Sequence, residues 1–275
     1  FIKNKKTLSI KSSFGKASDK IIEGKIGNQK VYFLSRHGKG HKLSPQEINY
    51  RANIDCLKKC KVTDIISLSA VGSLKEKLSP GTFVIIDQFI DKTQLREKTF
   101  FKDGIVAHVP MAKPTSEILM KLSLKVLKEL DIKNKYGGTY VAIEGPQFST
   151  RSESLLYKVW NADVIGMTNM PEAKLAREAE MRYCSISMVT DYDCWHDDFE
   201  SVDVDMLLKN LKKNSENALN FIKKFTDLYS KGVNFGVDNT SSILNNSIVT
   251  QKKYWKKDTK KKLKAILERY IKDNK

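Results

Sequence analysis

The sequence predicts an α/β fold in which a mixed central β-sheet is flanked by helices. Three observations predict it. From about residue 64 to residue 191, short β-prone runs alternate with segments whose apolar residues recur at helical spacing. A length of 275 residues is enough for one large domain with a sizeable core. A hydrophobic content of 40% belongs to a globular chain rather than a disordered one.

In order, Ile21 to Ile26 and Gln29 to Ser35 are β-prone runs separated by Gly27-Asn28, which reads as a hairpin. The second run delivers Arg36-His37-Gly38 to a strand end. Ser44-Pro45-Gln46-Glu47 then reads as a helix start, with an N-cap serine, proline in the first turn and glutamate at the capping-box position, and the helix should run to about Cys60. Asp64 to Ser69 is an apolar strand ending in Ser69-Ala70-Val71-Gly72-Ser73, whose small residues let backbone approach a ligand. Thr82 to Ile86 is another strand. The stretch from Asp87 to Pro114 lacks periodicity, and loops of that length in compact domains are commonly functional.

Leu119, Leu122, Val126 and Leu130 place a helix over Ser116 to Leu130. Gly138 to Ile143 is a strand running into Glu144-Gly145-Pro146-Gln147-Phe148-Ser149. A helix, a short strand (Asp163 to Gly166), a helix opening at Pro171 and a strand into Asp191 follow, and Asp203 to about Tyr229 is helical again. Val233 to Ser247, rich in Asn, Ser and Gly, reads as a linker. It divides the chain into a domain over residues 1–230 and a tail over 231–275, whose lysine-rich helix carries Leu263, Ile266, Leu267 and Ile271 on one side.

Composition excludes several classes. No apolar run approaches the roughly 18 residues of a membrane span, and no signal-peptide core opens the chain, so a cytoplasmic location is expected. Cys56, Cys60, Cys184 and Cys194 are too few for a disulfide framework. Cys56 and Cys60 share a helix face, but no second ligand pair follows them; His37 and His41 likewise lack an accompanying carboxylate, and no metal site is expected. The net charge of +17 comes mostly from scattered lysines, which disfavours nucleic acid as a partner while suiting an anionic substrate. The basic tail helix is the one feature that supports a nucleic-acid-associated protein instead.

The run Ser185-Ile186-Ser187-Met188-Val189-Thr190-Asp191-Tyr192-Asp193-Cys194-Trp195 is the richest in chemistry. On a strand, Asp191 and Asp193 face the same way. Two carboxylates aimed into one pocket raise each other's pKa, so that one can act as a general acid. A pair of solvated loop aspartates is the plainer reading of the same residues.

Five segments decide between them: Ser35-Arg36-His37-Gly38, Ser69-Ala70-Val71-Gly72-Ser73-Leu74, Asp87-Gln88-Phe89-Ile90-Asp91, Glu144-Gly145-Pro146-Gln147-Phe148-Ser149-Thr150-Arg151 and Thr190-Asp191-Tyr192-Asp193-Cys194-Trp195. Together and in this order they resemble the methylthioadenosine phosphorylase branch of the trimeric purine nucleoside phosphorylase family, up to about residue 225. The resemblance implies a purine nucleoside phosphorylase-like fold and a homotrimer. It also implies cleavage of 5'-methylthioadenosine by inorganic phosphate, a co-substrate, with no metal or organic cofactor. Arg36, His37, Ser69, the Ala70 amide and Thr168 would hold phosphate or ribose. Phe148 would stack on the purine and Met167 lie under the ribose. Val204, Leu207 and Leu208 would line the methylthio end, with His108 reaching it from a neighbouring subunit. Asp191 would protonate N7 of the leaving base and Asp193 bind the base edge. A carboxylate can accept from a 6-amino group, which favours adenine over 6-oxopurines; methylthioinosine and other 6-oxopurine nucleosides are the alternative substrates.

Without the resemblance, Phe148 and Met167 read as core, and Val204, Leu207 and Leu208 as one face of an amphipathic helix. Two departures stand out. Family members begin with a strand and a glycine-rich phosphate loop, and this sequence opens at Phe1, past the point where that loop ends, which implies a shortened sequence or an inactive member. Gly166 stands where some members carry asparagine.

Overall fold

The computed structural model describes residues 2–196, 204–232 and 236–272. Strands β1 (Lys3–Leu8), β2 (Ile21–Ile26) and β3 (Gln29–Phe33) form a small antiparallel sheet. Gly27, at a φ of +56°, makes the β2–β3 turn that the sequence predicts. Helix α1 (Tyr50–Lys59) begins later than the Ser44 signal suggests. Ser44 and Glu47 do exchange bonds, Ser44 N to Glu47 Oε2 at 2.9 Å and Glu47 N to Ser44 O at 3.1 Å. They close an isolated turn, and Asn49 is the true cap, accepting from Ala52 N at 3.0 Å.

The main sheet contains β4 (Asp64–Ser73), β5 (Phe83–Ile86), β6 (Gln88–Asp91), β7 (Asn134–Tyr136), β8 (Thr139–Ala142), β9 (Val164–Gly166) and β10 (Arg182–Tyr192). Its order is β6-β8-β9-β4-β10-β5-β7. Within it, β10 runs parallel to β4, and β6, β8 and β9 run parallel to one another. The two blocks meet antiparallel where β4 pairs with β9, so the sheet is mixed, as expected.

Helices α2 (Glu117–Glu129), α3 (Arg151–Val159), α4 (Asn169–Glu178) and α5 (Val204–Ser230) cover this sheet. Side-chain alternation along β10 divides the core. Cys184, Ile186 and Met188 face one cluster with Leu119, Leu122, Val126, Phe221 and Phe225 from α2 and α5. Tyr183 and Val189 face the other, with Ile54 from α1 and Ala173 and Ala176 from α4.

The tail beyond residue 231, which the sequence sets apart, is seated on this second cluster. A 3₁₀ helix over Thr240–Asn246 buries Ile243 and Leu244 there. Trp255, Leu263, Ile266 and Leu267 join them, delivered by helices α6 (Lys257–Lys262) and α7 (Glu268–Lys272) and the turns around them. Four large apolar side chains gain more by burial on a core than by lining a free helix, so the expected single amphipathic helix is broken into short turns.

Candidate active site

Strand β10 sets the acid pair. Its register with β4 advances one for one from Arg182 against Asp64 to Val189 against Val71, then skips Thr190 so that Asp191 faces Gly72. Such a bulge re-aims the side chains that follow it. A Cβ placed on Gly72 would lie 3.3 Å from Asp191 Oδ1 and 3.4 Å from Asp193 Cβ. The Asp191 carboxylate and the stem of Asp193 therefore flank the same glycine, where an added methyl group would be tight. Thr190 Oγ1 is 2.6 Å from Asp191 Oδ2 and 3.2 Å from Val71 O, and its single proton can serve one of them at a time. Burial pushes the Asp191 carboxyl up to about 6; the Thr190 hydroxyl opposes this and the Asp193 charge adds to it. Burial raises Asp193 as well, and its Oδ2 is buried without a hydrogen-bond partner.

The walls beside the pair come from β8 and β9. Because β9 meets β4 antiparallel, with Ile165 against Gly72, the residues after β9 run back along β4. That lays the 166–169 turn beside Ser69, whose Oγ bonds Asn169 Oδ1 at 2.9 Å. Gly145, at a φ of +68°, sits against Met167: a Cβ there would be 2.6 Å from the Met167 sulfur. Phe148, at the end of the β8 loop, is 80% exposed. The acid loop is tied to these walls by Cys194 Sγ donating to Ser149 O at 3.2 Å and Trp195 Nε1 donating to Ser73 O at 2.8 Å.

The anion candidates are less simple than the sequence suggests. Arg36, half-buried, gives Nε and Nη2 to the Glu172 carboxylate at 2.7 and 2.9 Å and Nη2 also to Ser67 Oγ, so one whole edge of its guanidinium is engaged within the chain. Its Nη1 points to Ser69 Oγ at 3.4 Å and is the edge left for a ligand. Glu172 also accepts from Ser67 Oγ at 2.8 Å and Tyr183 OH at 2.9 Å. Burial works against its charge, yet the Arg36 cation and these donors hold its carboxyl below the usual range. His37 gives Nδ1–H to Leu43 O at 2.8 Å, which makes Nε2 of the neutral ring an acceptor. It donates to an anion only when protonated, and burial lowers its pKa. The His37 and His41 rings are stacked with centroids 3.9 Å apart. Among the described residues no group of three or more His, Cys, Asp or Glu could hold a metal ion.

His108 is held through its backbone N–H on Ser247 O at 2.8 Å, within the stretch where Ala107 bridges Ile248. Val204, Leu207 and Leu208 open helix α5, and their side chains lie outside the described residues. Ser69, Ala70, Thr168, Met167, Asp191 and Asp193 are brought together around the β4–β9 junction.

Sequence reasoning misses three residues here. Glu172 reads as an ordinary acid in the first turn of a helix. Tyr140 reads as a strand aromatic, yet its hydroxyl accepts from Thr168 N at 3.3 Å and fills the space over Gly166, where a Cβ would come within 2.1 Å of it. Arg96 lies in the aperiodic stretch, and its one sequence signal is that a buried arginine must be paired.

A family model described as the phosphorylase superfamily matches residues 2–227. The S-methyl-5'-thioadenosine phosphorylase of Rhodospirillum rubrum is 48% identical over 263 residues, covering 96% of this chain and 90% of the relative. That of Koribacter versatilis is 47% identical, over 97% of this chain and 90% of the relative. Among solved structures, a methylthioadenosine phosphorylase from an Antarctic soil metagenomic library superposes with a TM-score of 0.92 at 44% identity, covering 97% of this chain and 93% of that one. The Schistosoma mansoni methylthioadenosine phosphorylase in complex with adenine gives 0.81 at 36% identity, over 90% of each chain.

Proposed function

This chain belongs to the phosphorylase superfamily, and from that premise we propose that it cleaves 5'-methylthioadenosine with inorganic phosphate, giving adenine and 5-methylthioribose 1-phosphate. It is a pentosyltransferase of the purine nucleoside phosphorylase type. A phosphate oxygen attacks C1' as the bond from C1' to N9 breaks, and the electron pair of that bond passes to the purine. Asp191 gives its proton to N7, so adenine leaves neutral, and Asp193 holds the base edge. Phe148 stacks on the base and Met167 supports the ribose. Phosphate sits among Arg36 Nη1, Ser69, the Ala70 amide and Thr168, with neutral His37 accepting from a phosphate hydroxyl through Nε2. Val204, Leu207 and Leu208 line the methylthio end. No metal or organic cofactor takes part in this scheme.

The observation that carries the reading is the buried acid pair beside Gly72, with one carboxyl raised to about 6 and the other retaining an unpartnered oxygen. A carboxyl of that kind donates to a ring nitrogen near neutral pH. Adenine release from methylthioadenosine should need phosphate; the same rate with and without phosphate would identify a hydrolase and overturn the proposal. Replacing the substrate by its 6-oxo counterpart should lower kcat/KM.

The active form in this reading is a homotrimer in the cytoplasm, where the four free cysteines stay reduced. Phe148 at 80% exposure, Leu95 at 77% and Val159 at 81% leave apolar surface that a neighbouring copy can cover. His108 then reaches the methylthio end of a neighbouring subunit's pocket.

A further inference from the structure

The proposed reaction needs the base loop after β8 and the ribose turn after β9 to stand at a fixed spacing. One side chain bonds to both. Arg96, with 1% of its side chain exposed, extends from the aperiodic stretch between the two loops. On one side it donates Nη2 to Glu144 O at 2.6 Å and to Ile143 O at 3.4 Å, and Nε to Glu144 Oε1 at 2.9 Å. On the other, Nη1 reaches Met170 O at 2.7 Å, Met167 O, and Tyr50 OH at 3.1 Å. Glu144 closes the clamp: its Oε2 accepts from Gln94 N and from Leu95 N at 3.1 Å.

A buried cation is tolerated only when its donors are all paired, and the five N–H groups of this guanidinium meet six acceptors. Four of these are main-chain carbonyls: Ile143 and Glu144 in the base loop, Met167 in the ribose turn and Met170 in the first turn of α4 that continues it. Carbonyl acceptors fix backbone rather than side chains, and a planar fork fixes it in two directions at once; an ammonium, a point charge, cannot. Gly145 and Met167, which touch across the gap, are the residues whose separation this sets.

We propose that Arg96 is a positioning residue for the reaction, holding the base loop and the ribose turn at the separation that places the nucleoside against Asp191. The proposal rests on the functional reading above, and it concerns a residue that meets neither substrate. Displacement of a positioned substrate by about 1 Å costs on the order of 100-fold in rate.

The test is Arg96→Lys, which keeps the charge and the bond to Glu144 but cannot span both loops. Assayed well below its melting temperature, it should lose about 100-fold in kcat. The pH inflection belonging to Asp191 should stay where it is in the wild type. Arg96→Ala should recover activity with added guanidinium ion but not with methylammonium or sodium chloride at equal ionic strength. A purely structural arginine would instead lower the melting temperature and leave kcat untouched, and that result would overturn the proposal. Should neither variant fold, Glu144→Gln keeps all four carbonyl acceptors and weakens the side-chain end of the clamp, since its amide has a single acceptor oxygen for Arg96 Nε and the Gln94 and Leu95 N–H groups together. A smaller fall in kcat is expected there, and an unchanged kcat would overturn the proposal. Failure of the wild-type chain to release adenine with phosphate would overturn the functional reading itself, whereas an active wild type with unaltered variants would sink only the role of Arg96.

Discussion

Removing the acid at position 191 tests the chemistry most directly. The environment moves the Asp191 carboxyl from the ordinary 3.8 to about 6, chiefly by burial at the end of β10. At 1.36 kcal/mol per pH unit, this is about 3 kcal/mol against the carboxylate and in favour of the proton. With one titration near 6, the protonated fraction falls roughly 90-fold between pH 5 and pH 8, and kcat/KM, which reports the free enzyme, should fall with it. Phosphate titrates in the same range, so the wild type must be compared with Asp191→Asn under saturating phosphate. Asparagine can hydrogen-bond N7 but cannot give up a proton of useful acidity. The expected loss in kcat is about 100- to 10,000-fold, with KM for the nucleoside little changed and the inflection near 6 abolished. A variant within a few-fold of wild type, or one that keeps the inflection, would refute proton donation by Asp191.

Two further outcomes bear on stability. Glu178 accepts from Thr99 Oγ1 and Phe100 N, both at 2.7 Å, and burial lifts its carboxyl to about 7. A raised carboxyl contributes stability that is full below its unfolded value near 4.5 and lost as pH rises through about 7. Between pH 5 and pH 8 the wild type should therefore lose about 2 to 3 kcal/mol more than Glu178→Gln in denaturant titrations; parallel curves would contradict this. Gly166→Ala puts a methyl group against the Tyr140 hydroxyl and should cost about 1 to 3 kcal/mol in the wild-type background and less when introduced into Tyr140→Leu, a positive coupling in a double-mutant cycle. A neutral Gly166→Ala, measured by its denaturation midpoint, would show that Tyr140 yields freely.

Much of the fold could be read from local pattern. The β2–β3 hairpin, α2, and the strands β4, β5, β8, β9 and β10 all carry apolar runs bounded by turn residues, and α5 starts within a residue of where its spacing predicts. Strand β1 could not be read this way. Five of its six residues are exposed, three of them lysines, so no buried face writes a pattern into it. Strand β6 lies inside the aperiodic stretch because only Phe89 and Ile90 of its four residues are apolar and none is fully buried, so no apolar run marks it. Alternation puts Asp191 and Asp193 on one face but leaves a solvated loop pair as the plainer reading, and only the resemblance of the five segments favours an acid pair; the bulge at Thr190 was not legible at all, since a bulge is a property of two strands. Arg96 and Glu172 were hidden for the same reason: their partners lie at least 46 and 11 residues away along the chain.

The seating of the tail on the core has a consequence for synthesis. The face of the sheet covered by α2 and α5 has its apolar complement once Tyr229 has left the ribosome. The opposite face does not. Ile54, Phe100, Ile105 and Ala176 wait for Trp255, Leu263, Ile266 and Leu267, which are made long after the strands they cover. A growing chain therefore carries one finished and one open side, and the open side is apolar surface of the kind that chaperones hold and that aggregates when they do not. Shortening the tail should thus reduce soluble yield in cells before it reduces the activity of the molecules that fold.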